Sequence, residues 1–64
     1  MDRDSETARI NDFVDKGNYH AAINLSISAM NECRRQSDQQ GTDYFIGLIR
    51  SIVDRIQAAF GTPL

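Results

Sequence analysis

One cysteine, one histidine, one proline and no tryptophan stand among the 64 residues of this chain. A lone thiol, Cys33, closes no disulfide within the chain, and with only His20 beside it there is no Cys/His set for a structural zinc site. Long hydrophobic runs are missing as well: the apolar stretches last a few residues, far short of the ~20 needed to span a bilayer. The N-terminus, Met1-Asp2-Arg3-Asp4-Ser5-Glu6, is acidic and hydrophilic, the reverse of a signal peptide. Together with one unpaired cysteine, that places the expectation in a reducing cytoplasm. Neither sign of charge dominates: seven Lys and Arg against nine Asp and Glu leave −2, which offers no net attraction for phosphate backbones. Gly17, Gly41, Gly47 and Gly61 stand singly, so no glycine-rich loop cradles a phosphate ahead of a helix.

What is present is a 41% hydrophobic, 25% charged sequence, enough for one small folded domain and too short for two. A chain of this length buries only about 60% of the surface its unfolded form exposes. With disulfides and metals excluded, self-association or a larger partner is the remaining source of stability.

Three segments carry helical period. In the first, Ile10, Phe13, Val14 and Gly17 recur at i, i+3, i+4 and i+7, predicting a helix over about residues 5–16 capped by Asp4 or Ser5. Gly17 supplies a left-handed stop and Asn18 a cap for the next helix. The second helix is expected from Tyr19 to about Gln40, with Gly41 ending it. Tyr19, Ala22, Ile23, Ile27, Met30 and Cys33 form its stripe, widened by Leu25 and Ala29 to an apolar arc of roughly 200°, more than one neighbour covers. The third helix, capped by Thr42 or Asp43, places Phe45, Leu48, Ile49, Ile52, Val53, Ile56, Ala59 and Phe60 on one face. Arg50 and Asp54 stand on the other as an i, i+4 pair, and Gly61 followed by Pro63 is the stop.

No strand pattern, low-complexity tract or internal repeat interrupts these segments. The expected fold is all-α: an antiparallel helical hairpin with a short N-terminal helix, three helices in all, dimerising into a helical bundle. In that bundle two hairpins form a four-helix core and the first helix acts as a strap. The residues expected to fill the core are Phe13, Ile23, Met30, Phe45, Leu48, Ile52 and Ile56.

The stretch Gly17-Asn18-Tyr19-His20-Ala21-Ala22-Ile23, with Ala29-Met30 after it, resembles the turn and second helix of a tetratricopeptide repeat. Gly17, Tyr19, Ala22, Ile23 and Ala29 stand at the family's spacings, and Phe13 fits the aromatic position of the preceding helix. Glu6 and Ile10 depart from the large aromatic and small residue of that helix, and Arg34-Arg35 continue where the family stops with proline. The match covers residues 17–30. It implies that the first helix folds against the second through Phe13, Tyr19 and Ala22, and that the chain takes part in protein–protein interaction. The closing Ala58-Ala59-Phe60-Gly61 and the chain length are also similar to the Rop family of plasmid RNA-binding helical hairpins.

Catalytic groups are scarce. His20 and Cys33 lie thirteen residues apart on one helix, ~20 Å along its axis, and cannot act as a nucleophile pair within a chain. Cys33 is expected as a small buried residue and His20 as a first-turn surface residue. Asp12 with Asp15, and Asp38 with Asp43, are carboxylate pairs of an ordinary acidic surface. The sequence therefore points to a non-enzymatic interaction module or regulator acting as a homodimer, with no catalytic residue, cofactor or metal and with no membrane role. Its partners are itself and another protein, which would contact Leu25, Tyr44, Ile46 and the Arg34-Arg35 pair. Two other readings stay open. One is a small nucleic-acid-binding regulator using Arg34 and Arg35 with Arg50 and Arg55; the other is a subunit of a hetero-complex of antitoxin or chaperone type.

Overall fold

The structure, a computed structural model, describes residues 2–61. Among these there are three helices and no strand: α1 (Arg3–Asp15), α2 (Tyr19–Arg35) and α3 (Gln39–Phe60). Helix α2 packs against both α1 and α3.

α1 starts two residues earlier than its apolar spacing indicates, because Asp2, not Asp4 or Ser5, is the cap. Its carboxylate accepts from the Asp4 N–H at 3.2 Å and from the Ser5 hydroxyl at 2.7 Å. These two donors, the Ser5 hydroxyl first, hold the Asp2 carboxyl below the usual carboxylate range. α1 ends where expected. Gly17 adopts φ +78°, its N–H donates to the Val14 carbonyl at 3.0 Å, and Asn18 N–H reaches back to Phe13 at 2.8 Å. That pair of bonds is a Schellman stop. Asn18 then caps α2 by accepting from Ala21 N–H at 3.3 Å.

The same device recurs twenty residues on, without its glycine. Ser37 N–H donates to Arg34 at 3.1 Å, Asp38 N–H donates to Cys33 at 2.8 Å, and Ser37 itself takes φ +57°. Asp38 caps α3 through Gly41 N–H at 3.0 Å. This corrects the expected boundaries: α2 stops at Arg35 instead of Gln40, and Gly41 lies inside the first turn of α3, where it ends nothing. Thr42 and Asp43 are not caps. Thr42 is buried and its hydroxyl donates to the Asp38 carbonyl at 2.8 Å. Gly41 is required by close approach, since a Cβ there would collide with the Asp38 carboxylate and sit 2.6 Å from Cys33 Sγ. The left-handed position of Ser37 costs about 1 kcal/mol that glycine would not incur. Ser37→Gly is therefore expected to raise the melting temperature by a few degrees, and an unchanged or lower value would contradict the turn geometry.

At the far end of α3, Gly61 adopts φ +61° and its N–H bonds to Gln57. Pro63, the other half of the expected stop, lies outside the described residues.

The core differs in kind from the expected one. Phe45 and Ile52 are fully buried, as their spacing indicates, but Phe13, Ile23, Met30, Leu48 and Ile56 lie only partly buried around it. The most covered face of α2 is its line of small residues, Ala22, Ser26, Ala29 and Cys33, at i, i+4, i+7 and i+11. Small side chains let α1 and α3 both approach that helix closely, and Ile10 and Val14 of α1 complete the buried cluster. Ser26 is tolerated at 0% exposure because its hydroxyl donates to the Ala22 carbonyl at 2.7 Å. Ile27, expected in the stripe, is turned outward.

Candidate interaction surface

The five residues expected to contact a partner fall into separate places. Leu25 packs against the core cluster. Tyr44 is exposed but committed within the chain. Its hydroxyl shares a 2.9 Å hydrogen bond with Thr7, the Arg3 guanidinium lies 5.3 Å from its ring centre, and Phe45 meets it edge-on at 5.1 Å. Arg3 also approaches Asp38 at 3.8 Å, so this cluster ties the start of α1 to the start of α3. Ile46 stands two residues from Tyr44, hence on the opposite flank of α3 at 100° per residue.

Arg34 and Arg35 are both exposed and differ in their partners. The Arg35 guanidinium pairs with Glu32, and that pairing holds the Glu32 carboxyl below the usual range. Arg34 has no ion-pair partner among the described residues. It borders an open depression at the α2–α3 turn lined by Ser37, Asp38, Gln39 and Thr42. The expected Arg50–Asp54 pair is not among the ion pairs of the described residues. Arg50 and Arg55 are exposed about 140° apart around α3, so one chain does not gather its arginines into a single basic patch.

The apolar spacing places Ile27 in the stripe of α2 and Ile49 and Val53 on the apolar face of α3, outside the seven residues expected to fill the core. In the structure Ile27, Ile46 and Val53 are each 37–38% exposed, with Ile23, Met30 and Ile49 partly covered beside them. On α2 these side chains flank the small-residue line on one side. On α3 they flank Phe45 and Ile52 on the side away from Tyr44, and therefore away from α1. Phe60, 69% exposed, meets Tyr19 edge-on at 6.5 Å and extends that strip. The signal was legible: residues 23, 27 and 30, and 46, 49 and 53, repeat at three and four beside a stripe that already had a partner.

His20 is exposed and Cys33 is 1% exposed. Burial pushes the Cys33 thiol up, and the neighbouring Asp38 carboxylate adds to the shift. Native Cys33 should therefore resist alkylation by iodoacetamide at pH 8 and react promptly once the chain is unfolded. Equal rates in the two states would contradict its burial. Among the described residues no three His, Cys, Asp or Glu stand close enough to hold a metal ion, and no helix is long and apolar enough to cross a membrane. Compared with protein-family models, curated proteins and solved structures, the chain matches none of them.

Proposed function

We propose that this chain is a non-enzymatic helical interaction module that works as a homodimer. In it α2 and α3 form an antiparallel hairpin whose uncovered face packs on a second copy. The observation that carries this reading is the run of outward isoleucine and valine side chains, Ile27, Ile46 and Val53, on the side of α2 and α3 opposite α1. Covering such side chains is worth on the order of 1 kcal/mol or more each, which is what a domain this small lacks. The hairpin direction is supported at both ends, by the Tyr19–Phe60 ring contact and by the close approach of Cys33 to Gly41.

Occlusion of the α2–α3 face in the dimer would leave α1, Tyr44 and Arg35 at the turn to meet another protein. Buried Ala22 and Ala29 support the close helix approach that the tetratricopeptide resemblance implies. A non-enzymatic role is supported by the separation of His20 from Cys33 and by the burial of that thiol. A free thiol also fits the reducing cytoplasm in which we place the protein.

Thermal unfolding at several chain concentrations tests the reading. A dimer's melting temperature rises with concentration by mass action, and a midpoint unchanged over a hundredfold range would overturn it.

A further inference from the structure

We infer that the second copy packs with its two-fold axis running along the helices, so that α2 of each copy lies on α3 of the other and Arg34 of each pairs with Asp43 of the other. The inference rests on the homodimer reading above and adds its geometry.

Two contacts fix how α2 and α3 are aligned. Tyr19 meets Phe60 at one end, and Cys33 stands beside Gly41 at the other. Counted at 1.5 Å per residue, the two ends differ in register by five residues, and their mean puts Met30 near the level of Ile46, Ile27 near Ile49 and Ile23 near Val53. Three apolar rungs therefore cross the face, and all six side chains are at least partly exposed. Beyond the Met30–Ile46 rung, toward the turn, come exposed Arg34 on α2 and exposed Asp43 on α3. Among the described residues neither Arg34 nor Asp43 has an ion-pair partner, and the Asp43 carboxylate accepts from the Gln39 side-chain amide at 2.9 Å. The opposite end of the face carries the Tyr19 and Phe60 rings.

This polarity selects the axis. A closed dimer stacking the two faces has a two-fold axis either along the helices or across them. Both place apolar rungs on apolar rungs. An axis across the helices turns one copy end for end and sets Arg34 and Asp43 against aromatic rings. An axis along the helices keeps both turns at the same end. Each rung then lies on its own equivalent, and opposite charges meet twice, Arg34 on Asp43 and Asp43 on Arg34. Every pair of neighbouring helices in the resulting four-helix core is antiparallel, the up-down arrangement that packs most simply. The area is sufficient. Two helices ~10 Å in diameter and ~25–33 Å long present on the order of 500–650 Å² per copy, which over both copies reaches the ~1,000 Å² total that marks a specific interface.

Exchange of charge between chains tests the arrangement, with far-UV circular dichroism confirming that both variants are folded. Arg34→Asp and Asp43→Arg should each weaken self-association about tenfold, since one substitution creates two like-charged contacts. An equimolar mixture of the two variants should recover wild-type affinity by sedimentation equilibrium, because both contacts become opposite in the mixed dimer. An intrachain effect would give no such recovery. As a second readout, Ile27→Cys chains mixed with Ile49→Cys chains and oxidised should crosslink to each other in preference to themselves. Wild-type dimerisation with charge variants that associate normally, or with a mixture no tighter than its parts, would overturn the axis and leave the homodimer standing. A monomeric wild type would overturn both.

Discussion

Phe45→Ala is expected to unfold the isolated chain at 25 °C. Phe45 is the largest fully buried side chain, and it sits among Ile10, Val14, Ala22, Ala29, Cys33 and Ile52, which draw on all three helices. Truncating a buried phenylalanine removes its transfer free energy and leaves a cavity that packed neighbours cannot close, at a cost of about 3–5 kcal/mol. A single core in a chain below 70 residues rarely supplies more than about 3–5 kcal/mol in total. The two magnitudes are equal, so the variant should lose its cooperative melting transition and most of its helical circular dichroism. Phe60→Ala is the matched comparison, because that ring is 69% exposed; it should keep the helical signal. A Phe45→Ala chain that still unfolds cooperatively would place the core elsewhere.

Val53→Asp is the second large effect, and it is read in association. Val53 is 38% exposed and faces away from α1, so a carboxylate there is solvated in a single copy. In the dimer the two-fold axis would bury it twice, with no cation opposite either copy. Leaving a charge desolvated and unpaired costs several kcal/mol, so the dimer should weaken by at least about a hundredfold. Ser51→Asp adds the same charge to an exposed position on the other side of α3 and should leave association unchanged. Equal behaviour of the two variants would remove the α2–α3 face from the interface.

Much of this architecture was legible in the residue pattern, and the misses share one cause. The apolar period located all three helices, and Gly17 marked the first turn because glycine carries a left-handed residue at no steric cost. The second turn has the same hydrogen bonds built on Ser37, a residue whose type does not advertise φ +57°. Gly41 then attracted the stop to itself, although its role is to let α3 lie against Cys33. The core was misjudged by the same kind of shift. Size suggested that Ile23, Ile27 and Met30 face inward, but a helix gripped from two sides turns its small side chains to the tightest contacts. Its large ones are left at the margin. That substitution of Ala22, Ser26, Ala29 and Cys33 for the larger stripe is what frees Ile27, and with Ile46 and Val53 it makes the uncovered face. Of the partner residues expected from the sequence, Ile46 lies on that face, Tyr44 is held by Thr7 and Arg3, and Leu25 lies against the core. Side-chain commitments of this sort depend on which helix arrives from which side, and spacing within one helix does not encode them.

The central claim is that the α2–α3 face is covered by a second copy of the chain. Light scattering on the eluting peak of a size-exclusion column, at tens of micromolar and moderate salt, tests it most directly. The chain weighs 7.2 kDa. The account predicts a mass twice that value for the wild type and a return to the single-chain mass for Val53→Asp; a wild-type mass equal to one chain at that concentration would contradict it.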